Sequence, residues 1–323
     1  MGRDENADKR GIEAMRIQWK RFLCTTDLSD LSNQAIPYAV ALAKELKAKL
    51  YLCHVVDLPT AAMYGEAVVY SVDQQERNME YAQEHLRRLV PDGVIDWEPL
   101  VTIGHTAHEI TRLAQEKEID LAISASHGRS GLKRLILGSV TERLMQTLPC
   151  PLMVVRGDAN LSLEQPPREP KFGEILVGYD FSPDSDLAFQ YGLSLAQEFQ
   201  SELHLVHVIE PPLYKDLLDS TSYGGEAYRK DLREHLKEKL HLMIPEDARN
   251  WCEPKIVLLA GQPDEELTKY TVVQKMDMIV LGVRGQKMME RLFVGSTTDR
   301  VARKSPCPVL SVQPTVRLNQ KTA

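Results

Sequence analysis

At 323 residues the chain suits two domains of ~150 residues, each large enough for its own core. Its 43% hydrophobic and 26% charged content is that of a soluble globular protein. The net charge of −7 is spread evenly, with 19 Lys/Arg against 22 Asp/Glu in residues 1–160 and 20 against 24 in residues 161–323. That balance argues against a nucleic-acid-binding protein. No apolar run approaches the ~20 residues that span a bilayer, which argues against a membrane role. The N-terminal residues 1–17 form a charged leader without the apolar stretch of a signal peptide. The five cysteines are widely spaced with no CxxC pair, as in reduced thiols of a cytoplasmic protein.

In chain order, the apolar run Lys20–Thr26 predicts a strand ending at Asp27. Ser29 and Asp30 are candidate helix caps, and Ala35, Ala39, Leu42, Ala43 and Leu46 follow at helical spacing. A second strand, Leu50–Val56, closes on Asp57; a polar helix runs from about Gln74 to Leu89. Trp97–Ile103 alternates as a strand, Thr106–Glu116 reads as a helix and Ile119–Ser124 as a strand. A glycine-containing loop over 125–138, a helix over Ser139–Leu148 and a strand over Pro151–Val155 complete the first half. Strands alternating with helices imply crossover connections and a mainly parallel sheet covered on both faces.

Residues 157–172 read as a linker, after which the pattern restarts. Asp180 follows Asp27, and His207-Val208 follows His54-Val55, at an offset of 153. Gly285 follows Gly128, Gly295-Ser296 follows Gly138-Ser139, and Pro306-Cys307-Pro308 follows Pro149-Cys150-Pro151, at an offset of 157. Collinear agreement over so many elements marks a tandem duplication. The predicted domains are 18–156 and 173–313, with a tail at 314–323.

In each half three features converge where ligands of open parallel sheets sit, at the carboxyl ends of the strands. They are the Asp closing the first strand, the His-Val in the second and the glycine loop after the fourth. In the second half that loop is Leu281–Arg300, in which Gly282, Gly285 and Gly295-Ser296 can bring backbone N–H groups to a phosphate. An ordinary loop is the alternative, with Ser296 as helix cap and Asp299 completing a capping box. No P-loop, no GxGxxG after the first strand and no GxSxG occurs. His105, His108 and Glu109 suggest a metal site, but in the second half Gln262 and Glu265 stand at the places of the two histidines, so they read as a solvated helix start. His54 and His207 read as hydrogen-bonded core histidines.

These residues resemble the universal stress protein family in tandem form, over residues of about 18–156 and 172–313. The family signature G-x2-G-x9-G-[ST] is complete in the second half at Gly282, Gly285 and Gly295-Ser296, whereas Ala125 replaces the first glycine in the first half. The resemblance implies two tandem three-layer α/β domains, each a five-stranded, mainly parallel sheet with helices on both faces, similar to adenine nucleotide α-hydrolases. It implies ATP, with or without Mg, as ligand. Asp180 would meet ribose or adenine and Val208 would bond adenine through its backbone. Gly282, Arg284 and Gly285 would line ribose and phosphates, and Gly295, Ser296 and Thr297 would hold phosphate oxygens. The first-half set is Asp27, Val55, His127, Gly128, Gly138, Ser139 and Val140.

If position 125 needs positive φ, Ala costs roughly 1 kcal/mol; if it needs only to be small, Ala adds one methyl near the ligand. Arg284, where the first half has His127, would add a fixed charge beside the phosphates. The second half is therefore the expected stronger site. The expected function is a nucleotide sensor or carrier in stress response, with no catalytic residue assigned. A slow ATPase and a nucleotide-free interaction protein are the alternatives. The final strands Pro151–Val155 and Pro308–Val312 are expected pairing edges for an intramolecular pseudo-dimer or a homodimer.

Overall fold

The computed structural model describes residues 17–57, 72–126, 137–156, 170–210, 225–246, 248, 252, 254–285 and 294–314. The first half runs β1 (Arg21–Thr25), α1 (Asp30–Asn33), α2 (Ile36–Leu46), β2 (Lys49–Asp57), α3 (Val72–Leu89), β3 (Trp97–Gly104), α4 (Thr106–Glu116), β4 (Leu121–Ala125), α5 (Ser139–Thr147) and β5 (Leu152–Val155). The second repeats it with β6 (Glu174–Gly178), α6 (Pro183–Phe199), β7 (Glu202–Ile209), α7 (Gly225–Met243), β8 (Lys255–Ala260), α8 (Pro263–Gln274), β9 (Met278–Gly282), α9 (Ser296–Lys304) and β10 (Val309–Val312). Within each half every strand pairing is parallel. This is the expected doubled α/β architecture.

The strand order is β3-β2-β1-β4-β5-β10-β9-β6-β7-β8. Succession moves outward from β1 to β3 and then crosses to β4 on the other side of β1. The order therefore reverses between β1 and β4, and again between β6 and β9. Each reversal opens a crevice at the strands' carboxyl ends, because the flanking loops there leave in opposite directions.

Side-chain alternation along the strands sorts the core onto two faces. Phe22 and Cys24 of β1 join one hydrophobic cluster and Leu23 another. The first cluster continues through Ile175, Val177, Met278, Val280 and Leu310 of the second half, so one face of the sheet has a core common to both halves. On the other face the core divides in two, one part under α4 and α5 and the other under α8 and α9. Leu50, Leu52 and Ile123 are fully buried, each contributing about 1.5–3 kcal/mol relative to exposure.

The halves meet where β10 pairs antiparallel with β5, Leu310 lying opposite Met153. Around this seam, Gln313 Nε2 donates to the Leu148 carbonyl at 2.6 Å, and Arg156 Nη1 donates to the Lys304 carbonyl at 2.9 Å. Both acceptors stand at the C-terminal end of the other half's helix, Lys304 as the last residue of α9 and Leu148 as the C-cap of α5, where carbonyls lack intrahelical partners. Each half thus caps a helix end of the other with a side-chain donor. Trp19 packs edge-on to Tyr191 with ring centroids 5.5 Å apart, and Tyr38 to Phe172 at 6.4 Å. Among the described residues no helix is long and apolar enough to cross a membrane.

One local difference separates the halves. The helix after β6 is continuous over 17 residues, whereas its first-half counterpart breaks between α1 and α2 at Gln34-Ala35. Pro37 explains the break: it has no N–H for the Asn33 carbonyl, and its ring crowds that turn. Gln34 and Ala35 instead donate to Leu31 and Ser32, three residues back, at 3.4 and 3.2 Å. The matching residue of α6 is Gln190.

Candidate functional site

Both glycine loops close at the same neck. Gly295 N–H donates to the Val283 carbonyl at 2.7 Å, and Gly138 N–H to the Ser126 carbonyl at 2.9 Å. One turn on, Thr298 Oγ1 donates to the Gly282 carbonyl at 2.7 Å and Thr141 Oγ1 to the Ala125 carbonyl at 3.0 Å. These bonds fix the first turn of α9 and α5 against the ends of β9 and β4. Gly295 and Gly138 are the N-caps, with nearly identical extended dihedrals and no side-chain hydrogen bond. The capping-box alternative is corrected: Ser296 is the first helical residue, and Asp299 binds Arg303 with contacts from 2.7 Å. The first N–H groups of the helix thus face the loop without a side-chain cap, which suits an anion.

Opposite this turn lies the end of β6. Asp180 Oδ1 accepts the Ser182 N–H at 3.1 Å, and Asp27 Oδ1 accepts that of Ser29 at 3.0 Å. These turns place Phe181 and Leu28 at φ of 62° and 66°, a left-handed conformation costing about 1 kcal/mol for a side chain of that size. The Asp therefore shapes the turn, while Ser182 and Ser29 cap the helix. The second carboxylate oxygen of Asp180 looks across the crevice, since a Cβ on Gly285 would lie 2.8 Å from Asp180 Oδ2. A Cβ on Gly295 would lie 3.0 Å from the Val283 carbonyl and 3.7 Å from Gly285 N. Asp180, Gly285 and Gly295 converge on one place.

The strand-end histidines hold this geometry. His207 Nδ1–H donates to the Tyr179 carbonyl at 2.7 Å and His54 Nδ1–H to the Thr26 carbonyl at 2.9 Å. Each ring anchors the residue just before the Asp. Beyond Gly178, β6 no longer pairs with β7. Tyr179 donates to the Val206 carbonyl and Gly261 to the Ile209 carbonyl; since backbone groups alternate sides along a strand, those of Val208 face the notch where β6 has ended. Val55 stands likewise, two residues past Cys53, whose carbonyl accepts from Thr26.

Of the two reasons anticipated for Gly282, positive φ does not hold and the need for a small residue does, though a helix rather than the ligand sets it. Its missing Cβ faces the start of α6 rather than the loop: a Cβ there would lie 2.7–2.9 Å from the Asp184 carbonyl group and Cβ. The glycine admits the helix. In the first half Ala125 is buried beside the short, broken α1, and the residue matching Asp184 is Leu31. Arg284 is also reassigned. Its Nε and Nη2 grip the two oxygens of buried Asp184 at 2.9 and 3.0 Å, and its backbone N–H adds a third bond at 3.1 Å. A guanidinium neutralised in this way braces the loop neck rather than supplying an uncompensated charge. Sequence reasoning missed Asp184; its signal was the coupled change from Leu31/His127 to Asp184/Arg284.

Ser139, Val140, Ser296 and Thr297 occupy the opening turns of their helices. His127 and Gly128 lie outside the described residues, as do 286–293. Burial pushes the thiols of Cys53 and Cys150 up to about 12, so neither is a ready nucleophile.

The universal stress protein family pattern matches residues 18–156 and again 171–313. The chain belongs to the universal stress protein family. A universal stress protein of Methanocaldococcus jannaschii is 30% identical over 141 residues, 43% of this chain and 82% of the relative. Universal stress protein YxiE of Bacillus subtilis is 33% identical over 147 residues, 43% of this chain and 99% of that protein. Such relatives correspond in length to one half. A universal stress protein structure from Archaeoglobus fulgidus covers 92% of this chain and 100% of its own, with a TM-score of 0.65 and 20% identity. A putative universal stress protein from Pseudomonas aeruginosa covers 94% and 95%, with a TM-score of 0.63 and 17% identity. These two share the whole doubled fold.

Proposed function

We propose that this universal stress protein binds adenine nucleotide, ATP foremost, as a sensor or carrier, and that its second half holds the stronger site. The observation that carries the reading is the convergence of Asp180 Oδ2, Gly285 and the glycine-capped start of α9 on one crevice. Uncapped N–H groups favour phosphate oxygens; the carboxylate can accept from ribose hydroxyls; the notch beside Val208 offers a backbone donor and acceptor for an adenine edge. The second half is favoured because a bidentate ion pair fixes its loop neck to the helix after β6, and a preorganised site loses less freedom on binding. We read the halves as an intramolecular pseudo-dimer joined through β5 and β10.

Calorimetric titration of the full chain with ATP tests this, using Asp180→Asn and Asp27→Asn. Asn keeps an acceptor for the turn but loses the charged acceptor for ribose. D180N is expected to weaken the tighter site by about tenfold, the scale of one hydrogen bond to a charged group, with D27N leaving it unchanged. Loss confined to D27N would reverse the asymmetry, and no binding by the unaltered protein would remove the nucleotide reading.

A further inference from the structure

At the amino ends of the second-half strands, away from the crevice, Glu174 of β6 and Glu202 and His204 of β7 bring ligand atoms within 4.8 Å of one another. We propose that these three side chains form a divalent transition-metal site of the zinc class, with the remaining coordination positions left to water.

The geometry is already that of a ligand set. His204 Nε2 lies 3.0 Å from Glu202 Oε1 and 3.6 Å from Glu174 Oε2. Tetrahedral zinc with bonds of ~2.0–2.1 Å sets its ligand atoms about 3.3–3.4 Å apart, so the two observed separations bracket the required value. The ring is fixed: His204 is 3% exposed, and its Nδ1 is 2.8 Å from the Tyr270 hydroxyl of α8. With metal on Nε2, Nδ1–H donates to that hydroxyl, the outer-shell arrangement that orients metal-bound histidines. The carboxylates are part-exposed, with side chains 38% and 29% accessible, leaving a solvent path for the ion.

Two further observations separate this cluster from an ordinary strand end. Lys255, half exposed on β8, places its ammonium on Glu202, so the cluster already attracts a cation, which a metal ion would have to displace. The repeat also supplies an internal control. The register Glu174 opposite Glu202 in the second half is Arg21 opposite Lys49 in the first, and His204 corresponds to Tyr51. There Lys49 pairs with Glu98 at 2.9 Å and stands 5.1 Å over the Tyr51 ring. One copy places two cations and an aromatic ring where the other places three metal ligands. The site is therefore specific to the second half and independent of the nucleotide reading.

The test uses the full chain, stripped with a chelator and titrated with Zn2+ by calorimetry and with Co2+ by visible absorption. One equivalent is expected to bind with tetrahedral Co2+ bands. Glu174→Gln/Glu202→Gln, isosteric at part-exposed positions, should abolish both signals while leaving thermal unfolding in chelator unchanged. Tyr270→Phe should weaken binding by about tenfold, and Lys255→Met should strengthen it by removing the competing ammonium. Absence of binding, or binding undiminished in the double glutamine variant, overturns the proposal.

Discussion

The two halves share a fold but not a way of holding the helix that follows their first strand. In the second half, glycine at 282 lets the helix start rest on the end of β9, and Asp184 reaches from that helix to clasp Arg284 of the loop neck. In the first half the helix is broken by Pro37, alanine fills the glycine position, and leucine stands where the aspartate would be. What remains identical is the cradle itself: the neck hydrogen bond, the threonine bond and the glycine cap. Among the described residues, then, the copies differ in what braces the loop neck and agree in the neck bond and the helix cap.

That comparison can be broken by substitution. The largest effect is expected from Arg284→Met, which leaves buried Asp184 without its partner and should destabilise the second half by about 3 kcal/mol, read by denaturant unfolding. The double change Asp184→Leu/Arg284→His installs the residues of the first half and should recover much of that loss. Because the guanidinium is neutralised, R284M should weaken ATP and adenosine by similar factors; a loss confined to ATP would restore its role as a phosphate-facing charge. Next comes Gly282→Ala, whose methyl must displace the start of α6. Overpacking of this kind costs about 2 kcal/mol, with hydrogen exchange expected to accelerate in the first turn of α6. The smallest effect is expected from Ala125→Gly, where no helix backbone needs the space. Stability should change by no more than about 1 kcal/mol, and nucleotide affinity should stay as it was.

The order of elements was legible because hydrophobic periodicity and turn residues are local, and because the repeat showed each pattern twice. Thr106–Glu116 was read to the residue, and the pairing of the final strands followed from their position. Less visible was the break at Pro37, since Ala35, Ala39, Leu42 and Ala43 keep helical spacing across it and are all buried. Spacing reports which face is apolar; it does not report a missing hydrogen bond. In the candidate site, glycine spacing pointed to the loop but not to the reason for each glycine. Gly282 answers to Asp184, about a hundred positions earlier, and Arg284 answers to the same residue. Glu174, Glu202, His204 and Tyr270 come from three elements, and no motif connects them along the chain. Contacts made through space by residues far apart in sequence leave no periodic trace.

The antiparallel seam has a consequence for how the molecule meets its surroundings. Strands β1–β5 all run one way and β6–β10 all run the other. The carboxyl ends of the two sets therefore face opposite edges of the sheet at the seam, and the sheet's twist turns them further from one another's line over the four strands that separate the crevices. Each half thus keeps its own candidate crevice on strands of its own direction, within a single sheet.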